Sequence, residues 1–494
     1  MANSAGADNT GVRGSSGAVR GGGAGPGAGR RARHAVVVGG SLAALLTARV
    51  LSDHADRVTV VERDRFPDGP EPRAGVPQSR HLHVLLESGQ RALEKLLPGI
   101  LAELGERGFP RIGQPSDLVQ WQGGRFFRRT PASAHLLTGS RPLLEWLVRR
   151  RVTADPRITV LEGTEVVGLV GDATRVRGVR LRERGARTLY EARPLAADLV
   201  VDASGRGTRA PDWLAAIGAE PAHEETLDTG LAYASRLYRG PEGAEAPDCL
   251  GYFFVSGKGQ AEGGVALPVE SGLHLVTLSG LRGSEPPSDA AGFLGFTARL
   301  PHPALHAWLS RAEPASPVHA FRSTANVRRR YDRPGRRPAG FLATGDALCS
   351  FNPVYGQGMA VAALGALALA DALADPRRTP TTRRVQRALV GAAGQAWSIA
   401  AGADRVLPGA RGNAARVRAA DRPAAWYLER VMERVGEDPV VGDAFRGVTH
   451  LTSTVGVLFA PRVVRAVLFG QVVPVLSDPG RREPGRHVSR SVAG

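Results

Sequence analysis

The segment HAVVVGGSLAALLTARVL, residues 34–51, constrains the fold more than any other part of the sequence. An uninterrupted apolar run, Val36–Val38, ends at a pair of glycines, and a stretch of helical composition follows directly. Continuous apolar runs of this kind are typical of strands buried on both faces of a parallel sheet. Because a second such run, Val58–Val61, comes after the helix, the segment predicts a βαβ unit.

The turn between the first strand and its helix has the pattern of a dinucleotide-binding fingerprint. In such a fingerprint the first glycine makes the turn, the second admits a pyrophosphate, and the third lets the helix pack on the strand. Gly39 and Gly40 open this turn, Ser41 replaces the second glycine, and Ala44 takes the third place. The Ser41 hydroxyl could still donate a hydrogen bond beside the helix amides. Glu62 ends the second strand, where an acid suits ribose hydroxyls of a cofactor without a 2′-phosphate. By itself the motif leaves a purely structural βαβ turn open.

A second strand–turn–helix segment, FLATGDALCSFNPVYGQGMAVAALGALALADAL, begins about 300 residues further along the chain. Its apolar strand delivers Asp346 at the carboxyl end, where open parallel sheets bind ligands. Three residues then shape a tight turn before the long helix Met359–Leu373: Pro353, Gly356 and Gly358. An ordinary capped helix is the alternative, but two such segments in one chain favour a shared cofactor site.

With these motifs the sequence resembles the group A flavin monooxygenases, in which a Gly-Asp motif and a Pro-x-x-Gly-x-Gly turn hold FAD. Three further segments resemble the bacterial flavin-dependent epoxidases of polyether biosynthesis: GVPQSRHLHVLLESG, VVDASGRGTRAPDWL and AFRSTANVRRRYDR. The likeness covers roughly residues 34–400. It implies an α/β fold with a Rossmann-like FAD-binding βαβ domain, an inserted antiparallel-sheet substrate domain and a C-terminal helical region.

The fingerprint and the resemblance together give a predicted cofactor site. Its members are Gly39, Gly40, Ser41, Ala44, Glu62, Arg63, Arg80, Arg141, Asp346, Pro353, Gly356, Gly358 and Met359. The resemblance implies that Asp346 contacts the ribitol hydroxyls and that Gly356, Gly358 and Met359 lie against the isoalloxazine. His81 and His83 follow Arg80, but they lack further ligands at suitable spacing, so no metal site is expected.

The resemblance also implies the reaction. One oxygen atom from O2 would pass to the substrate through a flavin C4a-hydroperoxide, so no side chain is assigned a catalytic role. The first interpretation is epoxidation of alkenes in a polyketide or terpenoid-like natural product, as in antibiotic biosynthesis. Aromatic (phenol) hydroxylation, flavin-dependent double-bond reduction and a flavin-free binding or structural protein stay open. Flavin halogenases share the architecture but carry a Trp-x-Trp-x-Ile-Pro stretch. The sequence around Trp121 does not match this motif.

The strand-rich region 231–279 predicts an antiparallel sheet that forms the floor of a cavity for an apolar substrate. Its candidate substrate contacts are Tyr233, Phe253 and Phe254. Ser204 stands where aromatic hydroxylases carry an Asp used in FAD and NAD(P)H handling, so the electrons come either from NAD(P)H or from a separate flavin reductase. Asp202 and Arg206 are candidates for cofactor contacts or for salt bridges.

The elements predict a division of the chain. It consists of a disordered leader at 1–33, a discontinuous FAD-binding domain at 34–220 and 320–378, a substrate-binding sheet domain at 221–319, a C-terminal helical region at 379–478 and a loose tail at 479–494. Helices are expected at Arg80–Leu97 and Arg141–Thr153. From Ile158 a three-stranded meander is expected, with a return to the parallel sheet at Leu199–Val201.

The net charge is +17, from 64 Lys and Arg against 47 Asp and Glu. Almost all cations are arginine, and the arginine runs lack interleaved aromatics for base stacking, so no nucleic-acid partner is expected. The two cysteines, Cys249 and Cys349, predict a reducing, cytoplasmic location. The apolar stretch 454–476 contains Arg462 and Arg465, which disfavour a transmembrane helix. A packed or amphipathic helix is expected there, and association with a membrane surface stays open.

Overall fold

The computed structural model describes residues 33–185, 192–241, 248–375, 380–416 and 422–471, together with 476 and 478. The tail predicted at 479–494, and the leader predicted at 1–33 apart from Arg33, lie outside the described residues. In the described part the predicted fold class is confirmed, since a parallel sheet and antiparallel sheets combine with helices.

The strands are β1 His34–Val38, β2 Arg57–Val61, β3 Val84–Leu85, β4 Arg111–Gln114, β5 Leu118–Gln122, β6 Arg125–Phe126, β7 Ala134–Thr138, β8 Ile158–Leu161, β9 Thr164–Gly171, β10 Val176–Glu183, β11 Arg193–Ala196, β12 Leu199–Asp202, β13 Glu224–Leu227, β14 Ala232–Arg239, β15 Gly251–Phe254, β16 Glu262–Pro268, β17 Leu273–Gly280, β18 Glu313–Pro314, β19 His319–Phe321, β20 Asn326–Arg329, β21 Phe341–Ala343 and β22 Cys349–Ser350. The helices are α1 Leu42–Ser52, α2 Glu87–Leu96, α3 Ile100–Glu106, α4 Arg141–Thr153, α5 Ala210–Ala216, α6 Ala290–Phe296, α7 Ala304–Leu309, α8 Gly358–Ala374, α9 Thr382–Arg405, α10 Arg422–Arg434, α11 Pro439–Thr449 and α12 Pro461–Phe469.

The parallel sheet has five strands in the order β21-β12-β1-β2-β8. All residues of β1 are buried, as its apolar run predicts, and both neighbours run parallel to it. The pairs Val38↔Asp202 and Val38↔Val61 align the carboxyl ends of three strands. β21 continues the edge through Asp202↔Ala343. The turns that follow β1, β2, β12 and β21 therefore lie along one edge of the sheet.

The large antiparallel sheet contains the region predicted for substrate binding. β14 to β17 form its centre, in agreement with the expectation for residues 231–279. The sheet also takes β5 and β6 from much earlier in the chain, with β5 parallel to β15. Helices α6 and α7 cover one face through Phe293 and Trp308. The other face is turned toward Leu86 and Ala360, the latter in α8.

Two local predictions are wrong, and long-range pairing explains both. The helix expected at Arg80–Leu97 begins only at Glu87. Before it, Pro77–Arg80 forms a short 3-10 turn, and β3 pairs with β7. Likewise β8, expected as the first strand of the meander, pairs in parallel with β2. The meander itself consists of β9, β10 and β11, and β12 returns to the parallel sheet as predicted.

The other helices agree with the sequence. α4 spans the predicted Arg141–Thr153, and α8 extends the predicted helix by one residue at each end. The C-terminal region is helical, and Pro439 and Pro461 begin α11 and α12, where a missing N–H costs nothing.

Within the described ranges, none of the helices combines the length and the apolar composition of a membrane span. In the stretch 454–471, a 3-10 turn at Val455–Phe459 precedes the short helix α12. Val463 and Val467 are buried on one side of α12, whereas Phe469 is 80% exposed. This is the amphipathic helix that was expected, and its association with a membrane surface stays a prediction.

Candidate functional site

The two glycine-bearing turns meet at the edge of the parallel sheet. Gly39 has φ +101°, and its N–H donates to the Val61 carbonyl over 2.8 Å. A Cβ on Gly39 would lie 2.7 Å from the carbonyl oxygen of Ala203, which follows β12. A Cβ on Gly345 would lie 2.6 Å from the Ala43 Cβ in α1. Glycine is thus required where the second motif packs against the first.

Two helix N-termini next to these turns lack side-chain caps. Ser41 stands at the N-cap of α1, but its hydroxyl makes no cap hydrogen bond and donates instead to Glu145 Oε2 over 2.6 Å. Gln357 at the N-cap of α8 makes no cap hydrogen bond either. A Cβ on Gly358 would meet nothing within 4 Å, so space is open in front of α8. The first-turn amides of both helices can therefore donate to a ligand and favour negative charge.

Asp346 lies between these features, directly after β21. Its carboxylate is only partly exposed and makes no hydrogen bond with any described residue. Burial raises the pKa of Asp346, while Arg206, Arg141 and Arg329 act in the opposite direction. A half-buried carboxylate without a partner can accept hydrogen bonds from a bound polyol.

A buried ionic cluster joins the predicted members Ser41, Glu62 and Arg141. Arg141 Nη2 donates to Ser41 Oγ over 2.9 Å and to Glu145 Oε2 over 3.3 Å. Arg73 Nε donates to Glu145 Oε1 over 2.9 Å, and its Nη1 lies 3.2 Å from Glu62 Oε2. Burial acts to raise the pKa of Glu145, but Arg141 and Arg73 outweigh it and the pKa lies below its usual range. We call Glu62, Asp64, Arg73, Arg141 and Glu145 the ionic cluster.

Glu62 lies at the predicted place, but its carboxylate is already engaged. Besides Arg73, it accepts a hydrogen bond from the Asp64 N–H over 2.9 Å. A ribose would therefore have to share Glu62 with Arg73. The Glu62 carboxylate can take this position only because residue 40 is glycine: a Cβ on Gly40 would lie 2.8 Å from Glu62 Oε2.

The cluster contains residues that the sequence reasoning missed. Glu145 could have been found, since it lies four positions after Arg141 on one helix face. Arg73 and Asp64 give no comparable local signal. Their pairing, at 3.0 Å between Arg73 Nη1 and Asp64 Oδ2, depends on how the loop after β2 folds back.

Three residues of the predicted cofactor site are exposed to solvent. Arg63 and Pro353 are exposed, and so is Arg80 at the end of its 3-10 turn. Among the described residues, no hydrogen bond or ion pair joins Arg80 to the rest of the site. Met359 is buried at the start of α8, and a Cβ on Gly356, which has φ +63°, would lie 2.6 Å from Val84 Cγ2.

Asp404, near the end of α9, fixes the turn at Pro353–Tyr355 through hydrogen bonds. The Asp404 carboxylate accepts from Tyr355 Oη over 2.6 Å, from Asn326 Nδ2 over 2.6 Å and from Asn352 Nδ2 over 3.1 Å. Asn326 Oδ1 in turn accepts from the Asn352 N–H over 2.7 Å. Asp404 is 1% exposed. Sequence reasoning missed it, because nothing local distinguishes one acid in a long helix.

An aromatic group lies where the loop before β3 crosses the antiparallel sheet. The rings of Tyr233 and Phe321 stack with centroids 5.2 Å apart, and His81 stands edge-on to Tyr233 at 4.6 Å. His81 Nδ1 lies 2.8 Å from Ser235 Oγ, which lies 2.7 Å from Thr277 Oγ1. Burial lowers the pKa of His81 to about 3, so the imidazole is neutral near pH 7.

Strand register separates the predicted substrate contacts. Phe253, Val265, Thr277 and Ser235 pair in one row across β15, β16, β17 and β14, so Phe253 faces the same side as the Ser235–His81 contact. Phe254 points to the opposite face, is 1% exposed, and lies with its ring centroid 6.3 Å from that of Tyr252. The structure therefore corrects Phe254 to a core residue, because successive side chains on a strand alternate.

The segment around Ser204 forms an internal network. Asp202 is fully buried and accepts from the Ser204 N–H over 3.0 Å, from Ser204 Oγ over 2.6 Å and from Thr208. Arg206 donates to the carbonyls of Ala325 and Phe351 over 2.5 and 3.2 Å. Neither Asp202 nor Arg206 forms a salt bridge with a described residue.

The two histidines of the loop before β3, His81 and His83, lie close together. Within the described ranges, no group of three His, Cys, Asp or Glu side chains is placed to hold a metal ion. His83 Nδ1 lies 2.9 Å from the His81 carbonyl, and burial, reinforced by Arg141, lowers the pKa of His83 to about 4.

Protein Rv3254 of Mycobacterium tuberculosis is 33% identical to this chain over 479 residues, which are 91% of this chain and 96% of that protein. The chain belongs to the family of Protein Rv3254. No family model matches the sequence.

Several solved structures have the same fold as this chain. The flavin-dependent brominase Bmp2 matches with a TM-score of 0.61 and 15% identity, covering 84% of this chain and 93% of the brominase. p-Nitrophenol 4-monooxygenase PnpA from Pseudomonas putida matches at 0.57 and 16%, covering 85% and 96%. PqsL, a probable FAD-dependent monooxygenase from Pseudomonas aeruginosa, matches at 0.53 and 20%, covering 75% and 94%. This chain thus has the fold of flavin-dependent monooxygenases and halogenases.

The Asp404 contacts predict a large effect of Asp404→Asn on stability. The neutral amide replaces three hydrogen bonds to a carboxylate by weaker neutral ones, and the Tyr355 hydroxyl has to turn from donor to acceptor, so the free energy of unfolding should fall by about 1.5–3 kcal/mol. Urea denaturation measures this change. Asp371→Asn, at an exposed position of α8, is the matched control and should leave the midpoint unchanged. Equal midpoints for both variants would contradict the assigned role of Asp404.

The neutral His81 predicts a pH-dependent stability. Its folded-state pKa of about 3 lies below the ordinary 6.5, so between these values mainly the unfolded chain binds the proton. The free energy of unfolding should therefore fall as the pH drops below about 6.5, by about 2 kcal/mol from this residue at about pH 5. Urea titrations at several pH values should show this component missing in His81→Gln. His54→Gln is the control. If the unfolding free energy of His81→Gln falls with pH as steeply as that of the unmodified chain, folding does not lower the pKa of His81.

Proposed function

We propose that this protein is an FAD-dependent monooxygenase that inserts one oxygen atom from O2 into an apolar alkene, as an epoxidase of natural-product molecules. The observation that carries the proposal is the convergence of two uncapped helix N-termini with the unpartnered Asp346 at one edge of the parallel sheet. Likeness of fold to proteins described as flavin-dependent or FAD-dependent supports this cofactor.

The residues present fit an adenine-flavin dinucleotide. The amides after Gly39 would hold the pyrophosphate, and Asp346 would accept from the ribitol hydroxyls. The Ser41 hydroxyl already donates its one proton to Glu145, so Ser41 would contribute its backbone N–H. Nε of Arg141 and Nη2 of Arg73 are buried without a hydrogen-bond partner among the described residues. Both could donate to a bound anion. The amides of Gly358 and Met359 would face the ring system.

The ionic cluster does not oppose a bound phosphate. Three carboxylates, Glu62, Asp64 and Glu145, lie within ion-pair distance of arginines, including Arg184, which contacts Asp64. Arg73, Arg141 and Arg184 match the three negative charges one for one. Because the local charge is balanced, the α1 amides and their helix dipole determine the preference for an anion.

FAD, when bound, would supply the activation and transfer of oxygen, while the protein side chains bind and orient the substrate and exclude water. We propose that Tyr233, Phe321, Phe253 and His81 form the floor for the substrate, and their side chains are apolar or neutral. Burial raises the pKa of Tyr233, so its hydroxyl stays protonated.

The same side chains favour an alkene over a phenol. Hydroxylation of a phenol is assisted by a base that takes the phenolic proton, whereas attack on an alkene needs none. The nearby imidazoles, His81 and His83, have pKa values of about 3 and about 4 and are weak bases. Aromatic hydroxylation is the second candidate, supported by the fold likeness to p-nitrophenol 4-monooxygenase.

The cofactor part of the proposal predicts that Asp346→Ala weakens FAD binding without unfolding the protein. Loss of a hydrogen bond to a charged group corresponds to about 10- to 100-fold in the dissociation constant. Flavin absorbance after gel filtration at low protein concentration measures retention, with Asp371→Ala as the exposed control. The proposal is falsified if Asp346→Ala keeps stoichiometric flavin, or if the unmodified protein binds no FAD.

The reaction part predicts a product heavier by one oxygen atom. Unactivated alkenes and phenols are offered under air with NAD(P)H, with and without an added flavin reductase, and products are identified by mass. Alkene oxidation is the expected result, and dependence on the reductase shows which electron source is used. Products from phenols alone would favour the second candidate, and anaerobic addition of hydrogen would overturn both.

A further inference from the structure

A cavity lies at the opposite end of β21 from Asp346. Its volume is about 510 Å³, and Phe341, the first residue of β21, lines it. Small-molecule sites usually have volumes of about 300–1,000 Å³. Because β21 runs from this cavity to the turn with Asp346, the cavity and the proposed FAD site lie at opposite edges of the parallel sheet.

The cavity is cationic. Arg333, Arg337 and Arg383 line it, and no acidic residue is among its described lining residues. In the described part of the chain, Arg383 makes no ion pair, and the Arg337 side chain donates only to the backbone carbonyls of Glu220 and Pro221. Arg333 shares Glu225 with two other arginines. Glu220 is an acid near Arg337, because a Cβ on Gly335 would lie 3.0 Å from Glu220 Oε2 and 3.3 Å from Arg337 Cζ. Arg337 and Arg383 therefore carry positive charge at the cavity without an ion pair among the described residues.

The remaining wall combines apolar surface with a helix N-terminus. Leu214, Tyr331 and Phe341 contribute aliphatic and aromatic surface, and all three are buried. Thr381 and Thr382, at the start of α9, also line the cavity, so the positive end of a 24-residue helix adds to the arginines. An occupant that satisfies both parts of the wall is an anion with an apolar body.

We propose that this cavity binds a small organic anion in which a carboxylate or phosphate is joined to an aromatic or aliphatic group. The guanidinium groups of Arg337 and Arg383 would contact the oxyanion, since planar guanidinium matches both head groups. Leu214 and Phe341 would contact the apolar body. The site is separate from the proposed cofactor site and does not depend on that proposal.

Isothermal titration with four probes, each measured with and without excess FAD, tests the chemistry and separates this cavity from the cofactor cleft. Phenyl phosphate and benzoate carry both features, inorganic phosphate lacks the ring, and benzyl alcohol lacks the charge. We expect phenyl phosphate or benzoate to bind at least tenfold more tightly than the last two, and the tighter one identifies the head group. Equal binding of all four, no binding at millimolar concentration, or binding that FAD abolishes would overturn the proposal.

Variants locate the binding. Arg337→Gln and Arg383→Gln should each weaken the tighter probe by about tenfold or more. Arg336→Gln is the matched control, because this exposed neighbour does not line the cavity. If Arg337→Gln fails to fold, Arg383→Gln decides, since its side chain makes no described ion pair. Unchanged affinity in a folded Arg383→Gln variant would refute the assigned site.

Discussion

The close approach of Gly345 to Ala43 is the contact on which the candidate site depends. It fixes the turn after β21 against the first turn of α1, although about 300 residues separate them in the chain. β12 makes this possible by pairing in parallel with β1 on one side and β21 on the other. Any side chain at Gly345 would push the two elements apart and shift the turn that carries Asp346 away from α1.

The ionic cluster shows how a buried charge group can be compatible with a phosphate site. Removing one partner from such a cluster would leave an uncompensated buried charge, which is strongly destabilising. Arg73 is only 7% exposed, and it joins Glu62 and Asp64, which follow β2, to the distant Glu145 in α4. In the proposed FAD complex, Glu62 serves both as a fixed member of this cluster and as a ribose contact.

The proposed substrate side is organised by elements outside the parallel sheet. The loop that carries His81 lies on the antiparallel sheet, where His81, Ser235 and Thr277 form a short hydrogen-bonded series. Asp404 fixes the turn at Pro353–Tyr355 from the far end of α9. The C-terminal helical region therefore contributes directly to the shape of the turn.

The sequence by itself determined the βαβ unit, the helices α4 and α8, the antiparallel strands and the two turns, because apolar periodicity and glycine spacing are local properties. Tertiary structure decided which sheet β8 joins, where α2 begins, which face Phe254 takes, and that Glu62 pairs with Arg73. It also brought Asp404 to Tyr355. Most of these outcomes depend on partners far apart in the chain, and no local pattern specifies which donor a buried carboxylate will meet.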